Sequence, residues 1–153
     1  MDIGSRNNYP AKALSNFACH PFIIDGIECK SMEGFLQSLK FKNPEIQKQV
    51  CSLIGLKAKF RGKHKKWWRT QKLYWLDKEI DRHSEEYQKL IDKAYECMFN
   101  QSSSFKRALI ASGNAVFTHS IGKRDTHRTI LTEGEFCSRL RRLKRRIGNG
   151  TNG

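Results

Sequence analysis

The segment Ser31-Met32-Glu33-Gly34-Phe35-Leu36-Gln37-Ser38-Leu39-Lys40-Phe41 has the period of a helix with two chemically different faces. Positions i, i+4 and i+7 lie above one another on a helix, so Glu33, Gln37 and Lys40 form one polar stripe. The apolar residues of the segment face the core on the opposite side. The stripe therefore lines either solvent, as an ordinary surface pair of Glu33 and Lys40, or a pocket that combines an acid, an amide and a cation.

The length and composition predict one globular domain. A chain of 153 residues is long enough for one hydrophobic core and too short for two ordinary domains. We place the domain at residues 1–147, followed by a disordered tail at 148–153. No apolar run approaches the roughly 18 residues of a membrane helix, and the first residues, MDIGSRNNYP, lack the pattern of a signal peptide. The sequence therefore predicts a cytoplasmic protein without a membrane partner.

The charge balance indicates an anionic partner. Twenty-nine Lys and Arg against fifteen Asp and Glu leave a net charge of +14, which favours nucleic acid or a phosphorylated nucleotide. The five cysteines show no CxxC pairing and no nearby histidine at metal-ligand spacing. We therefore predict no metal, no disulfide and no cofactor.

Turn and cap signals divide the first half of the chain. Asp25-Gly26 between two short apolar runs predicts a β-hairpin. Ser31 is a helix cap, and that helix should stop before Pro44, which opens a short second helix closed at Gly55. We expect a basic loop from Lys57 to Lys72 and then a helix that carries Leu73, Leu76 and Ile80.

The second half reads as helices joined by one polar loop. The clearest helix begins at Ser84 and runs to Phe99, and a shorter one around Phe105 ends near Gly113. An extended piece at 116–120 and a polar loop at 122–127 follow. Thr132 and Glu135 form a capping box for the last helix. The predicted fold class is thus α+β and mainly α-helical, a helical bundle with a small N-terminal β-hairpin.

Four motifs, in this order and at this spacing, resemble the NADAR family of YbiA-like N-glycosidases. They are Leu14-Ser15-Asn16-Phe17, His20-Pro21-Phe22, Asp25-Gly26, and Ser31-x-Glu33-x-x-x-Gln37-x-x-Lys40-Phe41. The resemblance implies a mainly helical α+β fold without a metal. It also implies hydrolysis of a bond between ribose and nitrogen, either in phosphorylated intermediates of riboflavin synthesis or in ADP-ribose attached to guanine in nucleic acid. The chain departs from the family at Gly34, where many relatives have histidine, and at 126–131, where they have a Trp-Gly loop.

The chemistry needs a carboxylate beside the anomeric carbon, because cleavage of a ribosyl C–N bond passes through an oxocarbenium-like state. Glu33 is the predicted carboxylate. The resemblance implies that Asp125 is the second carboxylate. It either assists the attacking water and binds ribose hydroxyls, or it caps its own loop.

The remaining predicted contacts surround that carboxylate. Asn16, Ser31 and Gln37 are expected to bind ribose or the base, although Asn16 and Ser31 also suit a turn and a cap. Lys40 suits the phosphates. His119 is a candidate proton donor to the departing base, as is His127, and each has a structural role as the alternative.

Two basic regions are candidate nucleic-acid contacts. The first mixes stacking surface and cations at Trp68, Lys65, Lys66 and Arg69. The second is the C-terminal cluster, represented by Arg142 and Arg145, for which a solubilising face is the alternative. Two functional classes stay open: an N-glycosidase acting on a phosphorylated, ADP-ribose-like or nucleic-acid-linked ribosyl substrate, and a binding module for nucleic acid or nucleotide without catalysis.

Overall fold

The computed structural model describes residues 1–151, and its architecture is α+β with helices predominant, which confirms the predicted fold class. The helices are α1 (Ala11–Leu14), α2 (Met32–Ser38), α3 (Pro44–Cys51), α4 (Gly55–Lys63), α5 (Glu85–Gln101), α6 (Ser103–Ala111) and α7 (Glu133–Thr151). The strands are β1 (Phe22–Ile24), β2 (Ile27–Cys29), β3 (Lys72–Trp75) and β4 (Lys78–Asp81), and a short 3-10 helix covers Trp67–Arg69. In the described part of the chain, no helix combines the length and the apolar character needed to cross a membrane.

The N-terminal hairpin is confirmed. Strands β1 and β2 pair antiparallel, with Phe22 opposite Cys29 and Ile24 opposite Ile27. Asp25 and Gly26 at the turn have φ of 49° and 79°, the left-handed region that a tight hairpin turn requires. All four paired side chains are buried, so the hairpin presents one face to the core.

Helix α2 lies at the centre of the fold and begins where its cap predicts. The Ser31 hydroxyl accepts a hydrogen bond from the Gly34 amide at 3.0 Å. Its apolar face, formed by Met32, Phe35, Leu36 and Leu39, is almost completely buried. A Cβ atom at Gly34 would lie 2.7 Å from the Leu53 carbonyl oxygen, so α2 approaches the end of α3 too closely for any side chain there.

The prediction for residues 55–81 is wrong. Gly55, expected to close α3, is the first residue of α4, and α4 occupies the first part of the expected loop, up to Lys63. The expected helix over Leu73, Leu76 and Ile80 is the second hairpin, in which β3 pairs antiparallel with β4. Those three residues fit a helical spacing. The buried residues are instead Leu73 and Trp75, which alternate along β3, and Ile80 of β4. Leu76 makes the turn with φ of 54°.

The predicted caps of the C-terminal helices are confirmed. The Ser84 hydroxyl accepts from the Tyr87 amide at 3.1 Å, and Thr132 and Glu135 exchange the two hydrogen bonds of a capping box at 2.8 and 3.1 Å. The extended piece at 116–120 forms a parallel bridge between Asp2 and Thr118. Helix α7 is Glu133–Thr151, and the last two residues of the predicted tail lie outside the described residues.

Candidate active site

A cavity of about 930 Å³ opens beside α2. Its walls come from the segment before β1, from α2 and α4, from the 3-10 helix, and from the loop at 119–131. Charged, polar and aromatic side chains dominate the lining, which includes Ser15, Asn16, Phe17, Glu33, Gln37, Lys40, Lys59, Phe60, Lys63, Lys65, Trp67, Trp68, His119, Lys123, Arg128 and Phe136. The polar stripe of α2 therefore faces a pocket rather than open solvent.

Glu33 is the only acidic side chain among the described residues that line this cavity. Burial raises the pKa of its carboxyl group, while a hydrogen bond from Gln37 and the charge of Lys40 act in the opposite direction. The Glu33 amide donates to the Asn16 carbonyl oxygen at 3.0 Å, and the Asn16 side-chain oxygen accepts from the Tyr95 hydroxyl at 2.7 Å. These bonds tie the first turn of α2 to the loop that forms the adjacent wall.

Gln37 orients the Glu33 carboxylate. Its side-chain amide donates to Glu33 Oε1 at 2.9 Å, one helical turn away. Its own Oε1 is buried and has no hydrogen-bond partner among the described residues. A Cβ atom at Gly62 would lie 2.0 Å from that oxygen, so α4 packs directly onto Gln37 at this glycine. The close contact holds the amide with its donor side towards Glu33.

Cations surround the single carboxylate. Six line the cavity, from α2, from α4, from the turn after α4, and from the loop at 119–131: Lys40, Lys59, Lys63, Lys65, Lys123 and Arg128. Lys40 is half-buried, with its ammonium group 3.5 Å from the Gly62 carbonyl oxygen. Burial lowers the pKa of Lys40 to about 8, although the charge of Glu33 opposes the shift. A ligand that carries several negative charges matches this lining.

His119 belongs to the extended piece at 116–120, which pairs with the N-terminal segment, and its side chain lines the cavity. Its Nδ1 lies 2.7 Å from the Ile3 carbonyl oxygen, an acceptor, so we assign the proton of the neutral ring to Nδ1. The ring packs edge to face on Phe136, with 5.1 Å between the ring centroids. A Cβ atom at Gly122 would lie 2.5 Å from its Cδ2, which shows how tightly the loop covers the ring. Nε2 therefore accepts a hydrogen bond in the neutral form and donates one only when the ring is protonated.

The two adjacent tryptophans have different environments. Trp67 is 7% exposed and belongs to the core, whereas Trp68 is 39% exposed at the edge of the cavity. The guanidinium groups of Arg128 and Arg69 lie 5.0 and 5.5 Å from the Trp68 ring. Arg69 and Lys66, although predicted with Trp68, are not part of the cavity lining.

Two of the residues predicted to be catalytic or substrate-binding, Ser31 and Asp125, lie outside the cavity. Ser31 is completely buried. Its hydroxyl caps α2 and donates to the Leu53 carbonyl oxygen at 3.0 Å. Ser31 therefore has the capping role that was the alternative to substrate binding. Asp125 is exposed, and its carboxylate accepts from the His127 amide at 2.9 Å. Hydrogen bonds from His127 lower the pKa of Asp125. The structure therefore does not bring Asp125 to Glu33, because its short side chain closes a turn within its own loop.

The C-terminal arginines also lie away from the cavity, and part of their charge is neutralised. Arg142 is 3.1 Å from Asp92, a residue that also pairs with Arg139 at 3.0 Å. Arg146 pairs with Glu96. Arg145 is exposed, and no ion pair to it occurs among the described residues. These bonds join α7 to α5.

Sequence reasoning missed four cavity residues: Lys59, Phe60, Lys123 and Arg128. Lys59 and Lys63 are four residues apart, a spacing that places them on one helix face, but α4 itself was not predicted. Lys123 and Arg128 flank Asp125 in the loop that was singled out as polar. A lysine that lines a cavity has no local signal that separates it from a lysine in solvent.

A buried network holds the loop above the cavity. Arg82 is 1% exposed and bonds both carboxylate oxygens of Glu135, at 2.6 and 3.1 Å, and also the Thr129 carbonyl oxygen at 3.0 Å. The Tyr87 hydroxyl donates to the carbonyl oxygen of Ile130. Thr129 and Ile130, which line the cavity, are therefore fixed to this network through their carbonyl oxygens.

Fold and cavity together define an α+β protein of YbiA-like architecture with one carboxylate in a cationic pocket. The solved structure of YbiA from E. coli covers 97% of this chain, which covers 83% of YbiA, with a TM-score of 0.64 at 14% identity. The chain belongs to the family described as bacteriophage protein GP30.3, a NADAR-type family whose model matches residues 8–145. A relative from Enterobacteria phage T4, the uncharacterized 17.1 kDa protein in the Gp30-rIII intergenic region, is 40% identical over 148 residues, which are 94% of this chain and 96% of the relative. The resemblance inferred from the four motifs is thus confirmed.

Proposed function

We propose that this protein is an N-glycosidase that hydrolyses the bond between the anomeric carbon of a ribosyl group and a nitrogen atom in a phosphorylated substrate. The observation that carries the proposal is Glu33: a half-buried carboxylate, oriented by Gln37, in a cavity whose other charged side chains are all cations. The NADAR-type family supports the same reaction class.

The lining supplies complementary groups for both ends of such a substrate. Glu33 stabilises the positive charge that develops at the anomeric carbon and orients the attacking water. The cations of α4 and of the loop at 119–131 bind phosphate oxygens, together with Lys40, which follows the end of α2. Asn16, whose side-chain oxygen is engaged by Tyr95, presents its amide group to a ribose hydroxyl. His119, when protonated, donates to the departing base.

Substitution of the carboxylate tests the proposal. Purified protein is incubated separately with ADP-ribosylated DNA, ADP-ribose, NAD and phosphoribosylamino-pyrimidines, and the products are identified by mass spectrometry. We expect one of these to release a free base, ADP-ribose or ribose phosphate, and Glu33→Gln to slow that release by roughly 10²- to 10⁴-fold, the range for loss of a positioned acid–base group.

Two other carboxylates are matched controls. Asp125→Asn removes the second predicted acid, and Glu79→Gln removes an exposed acid of β4. Because neither lines the cavity, both variants should keep activity within about threefold, a change smaller than the loss of one hydrogen bond. Wild-type activity in Glu33→Gln contradicts the assignment, and a collapse in Asp125→Asn would show that its loop closes over the substrate.

A binding module without catalysis is the second candidate, and one observation favours it. Glycosidases of the common type use two carboxylates, whereas Asp125 lies outside this cavity and leaves Glu33 alone. The same incubation separates the two functions. Saturable binding of ADP-ribose, measured by calorimetry, without release of product from any of the four compounds decides for the module.

A further inference from the structure

The cations of this protein are divided between two surfaces with different surroundings. On α7, Arg139, Arg142 and Arg146 pair with acids of α5. Between Glu45 and Asp77 the sequence contains no acid at all. Seven Lys and Arg between residues 57 and 69 are all exposed, and no ion pair joins any of them to an acid among the described residues: Lys57, Lys59, Arg61, Lys63, Lys65, Lys66 and Arg69.

Exposed aromatic rings lie among these cations. Phe60 is 52% exposed and Trp68 is 39% exposed, and both reach the edge of the cavity that contains Glu33. Stacking faces between cations are the combination that binds single-stranded nucleic acid, in which bases are free to stack and phosphates follow the charges. We call these seven cations and two aromatic residues the basic face.

We propose that the basic face binds single-stranded nucleic acid and leads it to the mouth of the cavity. The charge favours a polyanion, and the aromatic residues favour one with accessible bases. A base in a duplex cannot reach a carboxylate at the floor of a cavity unless it first leaves the stack. Delivery of a ribosylated base to Glu33 rests on the proposed function, whereas binding of the strand does not.

The test measures binding of a fluorescein-labelled 20-nucleotide DNA of mixed sequence by fluorescence anisotropy over a range of salt concentrations. The variant Lys57→Gln/Lys66→Gln/Arg69→Gln removes three cations of the basic face that lie outside the cavity lining. The control Arg107→Gln/Arg141→Gln/Arg145→Gln removes the same charge from exposed positions on α6 and α7. Both variants have the same net charge, so a difference between them reports the location of the binding surface.

We expect the basic-face variant to bind about tenfold to a hundredfold more weakly at 0.1 M salt, with the slope of log K against log salt reduced by about 2, since each phosphate contact contributes about 0.7. The control should bind within about threefold of wild type, because bulk charge alone has a small effect. The single strand should also bind more tightly than a duplex of the same sequence.

Two results would overturn the inference: equal losses in the two variants, or a duplex that binds more tightly than the single strand. Turnover separates this inference from the proposed function. The basic-face variant should hydrolyse a free mononucleotide-sized substrate at the wild-type rate, since its three positions do not line the cavity. If Glu33→Gln proves active, the reaction proposal fails and the binding result stands.

Discussion

At the scale of single residues, two glycines position the acid and the amide of the site. Gly34 allows α2 to meet the Leu53 carbonyl oxygen, and Gly62 allows α4 to cover Gln37. No side chain fits at Gly34 in this chain, because its Cβ would meet that backbone oxygen. Neither contact is visible in the sequence, where both glycines read as ordinary residues of a helix and a loop.

Gly34→Ala should lower the free energy of unfolding by about 1–3 kcal/mol, because its Cβ would be 2.7 Å from a backbone oxygen that cannot move aside as a side chain can. Gly134→Ala is the matched control. Gly134 lies in the first turn of α7, and a Cβ atom there would have no atom within 4 Å. This substitution should raise the free energy of unfolding by about 0.5–1 kcal/mol. Urea denaturation measures both. A Gly34→Ala protein as stable as wild type would contradict the close packing of α2 on α3.

Lys40 should limit activity at high pH. Its pKa is lowered to about 8, so the ammonium charge is present below that pH and is lost as the pH rises through it. If Lys40 holds a substrate phosphate, kcat/KM falls across this interval. Lys40→Arg should remove the decline, because arginine keeps its charge to above about pH 12. The measurement is a pH profile of kcat/KM for both proteins, and an unchanged profile in Lys40→Arg would exclude Lys40 as its source.

At the scale of elements, the sequence predicts what local signals specify. The hairpin at Asp25-Gly26, the cap at Ser31 and the capping box at Thr132 act within a few residues, and each prediction is confirmed. The second hairpin was missed because its extended form depends on distant contacts: Trp75 packs on Phe35 with 5.0 Å between ring centroids and donates to Asp25 at 2.8 Å. Helix α4 was missed because its cations obscure a short apolar pattern.

The helix pair α5 and α7 should depend on Arg82 more than on any exposed ion pair. Arg82→Met would leave the Glu135 carboxylate, 14% exposed, without its main partner, at a cost of about 3–5 kcal/mol. Lys89→Met breaks the exposed pair with Glu85 and should cost at most about 1 kcal/mol. Thermal and urea unfolding compare the two variants, and similar losses would contradict the buried network.

At the scale of the whole molecule, the chain brings its N-terminus to the site. The Ile3 amide donates to the Thr118 carbonyl oxygen at 2.8 Å, and the Ile3 carbonyl oxygen accepts from His119. The cavity wall therefore combines residues from both halves of the sequence. The helical spacing of α2 predicts Glu33, Gln37 and Lys40 as neighbours, whereas Lys59, Lys123 and Arg128 join them only through tertiary packing.

In the folded protein the net charge of +14 is distributed unevenly over the surface. The acids of α5 offset much of α7, while the region from α4 to the 3-10 helix keeps its charge beside the cavity. If the partner is an anion, as the sequence predicts, we expect long-range attraction to guide it towards Glu33 rather than towards the C-terminal helix.

The role of Glu33 is tested by running the reaction in water labelled with ¹⁸O and locating the label by mass spectrometry. If Glu33 serves cleavage at the anomeric carbon, the released sugar carries one ¹⁸O atom, the released base carries none, and Glu33→Gln yields neither product at an appreciable rate. Label in inorganic phosphate or in the base, or labelled sugar formed by Glu33→Gln at the wild-type rate, would contradict cleavage at the anomeric carbon by Glu33.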